Sequence, residues 1–130
     1  MPQTGLGVAL KTLRERRTLS LREFGLLSEV DHAYVHRLES GDKINPSSEM
    51  IDKLLKVLKP NERDAELIKW LVDRAEVDPA LIEYVMTDPA IGMDLIEGAA
   101  GIRHRGSARP DPAKLIDRVK KLFEEDDEES

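Results

Sequence analysis

Few side chains in this 130-residue chain have the chemistry to bind or transform a substrate, and they are unevenly placed. Two of the three histidines, His32 and His36, stand four residues apart. On a helix that spacing puts both imidazoles on one face, where two nitrogens can ligate a metal. No third ligand is evident beside them, so they are read as surface histidines and no metal or other cofactor is expected. His104 stands alone among arginines. The absence of cysteine excludes a thiolate zinc site, a cysteine nucleophile and a disulfide scaffold together. No Ser-His-Asp set, paired carboxylates or glycine-rich phosphate cradle stands out, so the chain reads as a binding protein rather than an enzyme. The strongest binding group is Arg37, whose planar fork suits acceptors that come in pairs.

The elements that must position these residues are helical. The chain is 40% hydrophobic and 35% charged, with five aromatics, so its core is built from Leu, Ile, Val and Ala. No apolar run approaches the roughly 20 residues that span a bilayer, and MPQTGLG lacks the features of a signal peptide, which together predict a cytoplasmic protein with no membrane partner. The net charge of -6 argues against a polyanionic partner until it is divided along the chain. Residues 1–60 hold ten basic and eight acidic side chains, whereas residues 61–130 hold ten and eighteen, six of them in the run 124–129. The first half is therefore mildly basic and compatible with DNA.

Leu6, Ala9, Leu10 and Leu13 fall at i, i+3, i+4 and i+7 and predict a first helix to about Arg17. Ser20 with Glu23 three residues on is a capping box, so a second helix starts near Leu21. Asp31 caps a short third helix that Gly41 closes. Ile51, Leu54, Leu55 and Leu58 mark a fourth helix, and Asn61 caps a fifth, with Ala65, Ile68, Leu71, Val72 and Ala75 in its stripe, ending near Glu76. Asp78-Pro79 and Asp88-Pro89 predict two further helix starts, with Leu81, Ile82 and Val85 apolar in the first helix and Ile91, Leu95 and Ile96 in the second. The stretch GIRHRGSARPDP cannot sustain a helix and reads as a basic loop. Leu115, Ile116, Val119, Leu122 and Phe123 define a last amphipathic helix before the acidic run, which is expected to be disordered.

The stretch LSLREFGLLSEVDHAYVHRLESG resembles the helix-turn-helix of the Cro and C1-type phage repressor family (XRE family), over about residues 6–60. Leu19-Ser20, Glu23, Phe24, Val30, Val35, Leu38, Glu39 and Gly41 carry the resemblance. It implies an all-α fold: a five-helix, lambda-repressor-like DNA-binding domain over 1–76, a helical dimerisation region over 77–123 and an acidic tail over 124–130. It also implies an ion pair between Arg14 and Glu39 that holds orientation more than it adds stability. His32, Ala33 and Arg37 then occupy base-contact positions, while Ser20, Asp31, Tyr34, Ser40 and Lys43 lie near backbone-contact positions. Val35 and Leu38 pack inward, which leaves His32, Ala33, His36 and Arg37 to face a major groove. Asp31 has the wrong charge for phosphate and reads as a cap. Three residues depart from the family pattern. Leu21 replaces a phosphate-binding glutamine, with Arg22 available instead. Gly25 replaces an alanine, at about 1 kcal/mol in helix propensity. Glu29 replaces the turn glycine, which strains the turn by about 1 kcal/mol if φ stays positive.

The C-terminal half, with TDPAIG, GIRHRGSARP and LIDRVKKLF, is similar to the same region of radiation-response and mobile-element repressors that a zinc metallopeptidase cuts. That resemblance places a cleavage loop at Ile102, Arg103, His104 and Arg105 within 101–112, and dimerisation on Leu115, Ile116, Val119, Leu122 and Phe123. The expected function is a homodimeric, autoregulatory repressor of a double-stranded DNA operator, with a metallopeptidase as possible partner. The alternative is an antitoxin whose C-terminal half neutralises a toxin.

Overall fold

The computed structural model describes residues 3–102 and 111–129, with side chains through Glu125. The described residues form eight α-helices and no strand: α1 (Gly5–Arg16), α2 (Leu21–Ser28), α3 (His32–Ser40), α4 (Ser48–Leu58), α5 (Glu62–Leu71), α6 (Pro79–Val85), α7 (Met93–Gly101) and α8 (Pro112–Glu129). The fold is all-α, as the periodicity predicts.

Short polar side chains set most of the helix starts. Thr4 accepts from the Gly7 amide at 3.0 Å, Ser47 from Met50 at 3.1 Å and Asn61 from Asp64 at 2.8 Å, each satisfying an amide that lacks an intrahelical partner. Asp78 accepts from Ala80 at 3.0 Å, with Pro79 at the first helical position. Gly41 ends α3 with φ 88°, a conformation that suits glycine.

Three boundaries differ from the sequence reading. Helix α5 stops at Leu71, short of Glu76. Beyond it the Arg74 amide bonds back to Leu71, the Arg74 guanidinium bonds the Trp70 carbonyl at 2.7 Å and lies over the Trp70 ring, and Val77 is buried in the turn. Asp88-Pro89 opens a turn and not a helix. The Asp88 carboxylate accepts from the Ala90 amide, while Arg63 collects the carbonyls of Val85, Asp88 and Ile91, so α7 waits until Met93. Helix α8 continues past Phe123 to Glu129, since glutamate propagates a helix well without being buried.

The core runs continuously through the chain. Leu10, Phe24, Val35, Leu38, Ile51 and Leu54 are buried among α1–α4, and Leu67, Ile68, Ile82, Val85 and Ile96 extend the same cluster. Each large side chain buried this way stabilises the fold by roughly 1.5–3 kcal/mol. Helix α6 packs directly on α1, α8 rests on α7 and α6, and α2 lies against α3 and α4. Residue 76 thus marks a turn in the chain but no gap in the packing. An Ile82 carbon lies only 2.8 Å from where a Cβ of Gly5 would stand, so α1 and α6 meet at a position that only glycine fills without displacement.

Candidate nucleic-acid interface

Helix α3 is amphipathic in the sense required of a reading element. Val35 and Leu38 are fully buried beneath it, whereas His32, Ala33, His36 and Arg37 are exposed. Asp31 accepts from the Ala33 amide at 2.9 Å, so it caps the helix as its charge suggests. The Arg37 guanidinium lies 5.8 Å over the half-buried Tyr34 ring, a cation-π contact that restrains the long side chain while leaving its fork outward.

Two packing devices fix the angle at which α3 is presented. At its C-terminal end, Arg14 from α1 forms a bidentate pair with Glu39, at 2.7 and 2.9 Å, and a third bond to the Leu19 carbonyl at 2.8 Å. The hydrogen bond to Glu39 raises the Arg14 pKa further above its usual value, against the opposing effect of burial. Beside this pair a Cβ on Gly7 would stand 2.5 Å from the Glu39 carbonyl, so α1 and the end of α3 are in backbone contact. At the start of α2, which packs against α3, the Ser20–Glu23 capping box is complete, both bonds at 3.0 Å, and the bond from the Ser20 amide lowers the Glu23 pKa.

The α2–α3 turn clarifies both of its departures from the family pattern. Glu29 does hold a positive φ of 60°, so the expected strain is present there. Gly25 is not a mere propensity loss: a Cβ there would lie 2.8 Å from the Val30 carbonyl and 3.0 Å from the His32 side chain. In this chain the two helices approach more closely than an alanine at 25 allows.

The remaining expected residues divide by environment. Arg22 and Lys43 are exposed. Ser20 is exposed but its hydroxyl already serves the cap, and the Ser40 hydroxyl faces the Arg37 carbonyl and Asp42, each at 3.2 Å. Of the five residues assigned to dimerisation, Ile116 and Val119 are buried within the protomer, Leu115 is partly buried, and Leu122 and Phe123 are exposed. Ile102 is partly buried after α7, while Arg103, His104 and Arg105 lie outside the described residues. Among the described residues no three metal-ligating side chains gather around His32 and His36.

The sequence reading missed Arg63, Asp64 and Arg16. Asp64 is 2% exposed and bonds Arg63 at 2.8 Å, with Arg16 at 3.8 Å. Arg16 also reaches the Met86 carbonyl. Three of the four groups that Arg63 touches are carbonyls, which every residue type carries, so only the pairing of a basic with an acidic residue at 63 and 64 offers a signal.

Residues 6–67 match the profile of a family described as a helix-turn-helix domain. The match spans α1–α4 and the first half of α5, the region whose geometry presents α3. No curated protein and no solved structure matched the chain. The chain therefore carries an N-terminal helix-turn-helix domain within an all-helical fold, the architecture of a DNA-binding regulator. Among the described residues no helix is long and apolar enough to cross a membrane.

Proposed function

We propose that this chain is a homodimeric repressor of the Cro and C1 type, which binds a double-stranded DNA operator in the cytoplasm, regulates its own promoter and acts by binding without catalysis. The observation that carries this reading is the two-sidedness of α3: Val35 and Leu38 are buried, His32, Ala33, His36 and Arg37 are exposed, and its far end is fixed by Arg14. Arg37 reads bases, its fork bonding guanine O6 and N7 together, a contact worth about 1–3 kcal/mol of discrimination. Ala33 meets a thymine methyl, and Arg22 and Lys43 neutralise phosphates. One such unit covers few base pairs, which favours two copies reading half-sites about 34 Å apart.

Selection of binding sites from random DNA tests this directly. A palindromic consensus, bound with a steep salt dependence and lost with Arg37→Ala, is the expected result. Binding with neither sequence preference nor sensitivity to Arg37 would sink it.

The burial of Ile116 and Val119 favours control by proteolysis in the 101–112 segment by a metallopeptidase. Losing α8 would uncover the surfaces of α6 and α7 on which those two side chains sit. A chain ending at Arg103 should then bind operator at least tenfold more weakly. If the truncated chain keeps full affinity, control does not run through α8.

A further inference from the structure

Two pairs of adjacent large apolar side chains stand in solvent, one beside lysines and the other followed by carboxylates. On α2, Leu26 is 75% exposed and Leu27 62% exposed. Leu27 lines a shallow groove between the end of α2 and α4, floored by Val57 and rimmed by Lys53, Lys56 and Lys59, with Glu29 as the one acid on its edge. None of the three lysines is paired with a carboxylate among the described residues. On α8, Leu122 is 49% and Phe123 37% exposed, and the next residues are Glu124 and Glu125, both exposed. Lys121, just before this second pair, is held by Asp117 at 3.3 Å, so the C-terminal side of the pair presents the carboxylates of Glu124 and Glu125, while the exposed Arg118 and Lys120 lie one turn back.

Water-exposed apolar pairs on one small protein are unfavourable individually, and lysines beside one pair with carboxylates after the other select which two surfaces meet. The same chain does not bring them together: α8 is held on α7 and α6, and α6 on α1, whereas the groove belongs to α2 and α4. We propose that the α2–α4 groove of one protomer receives the Leu122–Phe123 end of α8 from a second copy, with Glu124 and Glu125 set against Lys53 and Lys56. Reciprocal exchange between two protomers forms this contact twice, so a weak patch gains strength by being closed on itself. None of the groove residues belongs to the exposed face of α3, so the contact joins protomers without occupying the side chains assigned to DNA.

The inference rests on the homodimer reading and specifies its surface. Sedimentation velocity across protein concentration, on the full-length chain, tests both. Wild type should dimerise, and less tightly as salt rises. Leu27→Glu, at a position where the side chain is mostly solvated, should weaken dimerisation about tenfold or more. Lys53→Glu with Lys56→Glu should weaken it, as should Glu124→Lys with Glu125→Lys, and all four changes in one chain should restore it by reversing both signs. A wild-type dimer that none of these variants weakens overturns the docking surface and leaves the homodimer reading standing. A wild-type chain that stays monomeric at every concentration overturns both.

Discussion

Arg14 and Arg63 sit in two regions of the bundle and are almost equally withdrawn from solvent, with side chains 10% and 12% exposed, yet they fasten the molecule differently. Arg14 gives two of its three bonds to one carboxylate on another helix and the third to the Leu19 carbonyl, and the bidentate geometry of the Glu39 pair fixes how α3 is presented. Arg63 spends one side of its fork on its neighbour Asp64 and the rest on carbonyls of Val85, Asp88 and Ile91, gathering a turn that has no regular structure of its own. The first device is specific and sacrifices stability to desolvation; the second adds a charged donor to carbonyls of the turn, two of which, at Val85 and Asp88, also accept from the amides of Asp88 and Ile91. The reading end of the protein is therefore built for orientation, and the C-terminal half is attached by a clamp indifferent to the side chains it holds.

The contrast is most exposed to disproof at Arg63. Arg63→Met leaves the Asp64 carboxylate buried with only Arg16 near it and takes the charged donor from the carbonyls of Val85, Asp88 and Ile91, so a loss of about 3–5 kcal/mol is expected in urea unfolding. A loss under about 1 kcal/mol would mean the turn is held otherwise. Substitutions at Asp88 should be far milder, because Arg63 takes the carbonyl there. Gly25→Ala is next in size. Overpacking against the Val30 carbonyl costs about 1–3 kcal/mol, more than the roughly 1 kcal/mol that alanine recovers in helix propensity. Thermal melting should show net destabilisation, and a gain would show that α2 and α3 relax apart freely.

Replacing both Arg14 and Glu39, as Arg14→Met with Glu39→Leu, sharpens the comparison by separating stability from orientation. Stability should change by less than about 1 kcal/mol while operator affinity falls. Unchanged affinity would reduce the pair to filler. The smallest effect belongs to Glu23. Its folded-state pKa lies below the ordinary value, so the capping box contributes stability at neutral pH that is lost as pH falls through the acid range of carboxylates. Glu23→Gln keeps the box without the charge, and its melting temperature should decline less steeply with acid than that of wild type.

Where local chemistry decides, the sequence was readable. Ser20 with Glu23, Asp31, Gly41 and Asp78-Pro79 each act within four residues of themselves, and each sits at the boundary its type predicts. Asp88-Pro89 carries the same signal as Asp78-Pro79 but is overridden from 25 residues away by Arg63, whose claim on the Asp88 carbonyl has no mark in the sequence. The stripe continuing to Ala75 predicts a longer α5, but Ala75 is exposed and Val77 takes the buried place. In the site, the outward set on α3 follows from its period, while the tightness at Gly25 depends on the distance between two helices, which no single stretch of sequence encodes.

The meeting of Gly5 with Ile82 bears on how the molecule opens. With no side chain at Gly5 to act as a spacer, α6 lies on the backbone of α1, and α1 in turn is in backbone contact with the end of α3 through Gly7. Loosening α6 therefore removes one wall from α1 while α3 leans on the other. Amide protons of α1, α3 and α6 should accordingly exchange with solvent in one cooperative opening, whereas those of α8, at the edge of the stack, exchange through a separate and easier one.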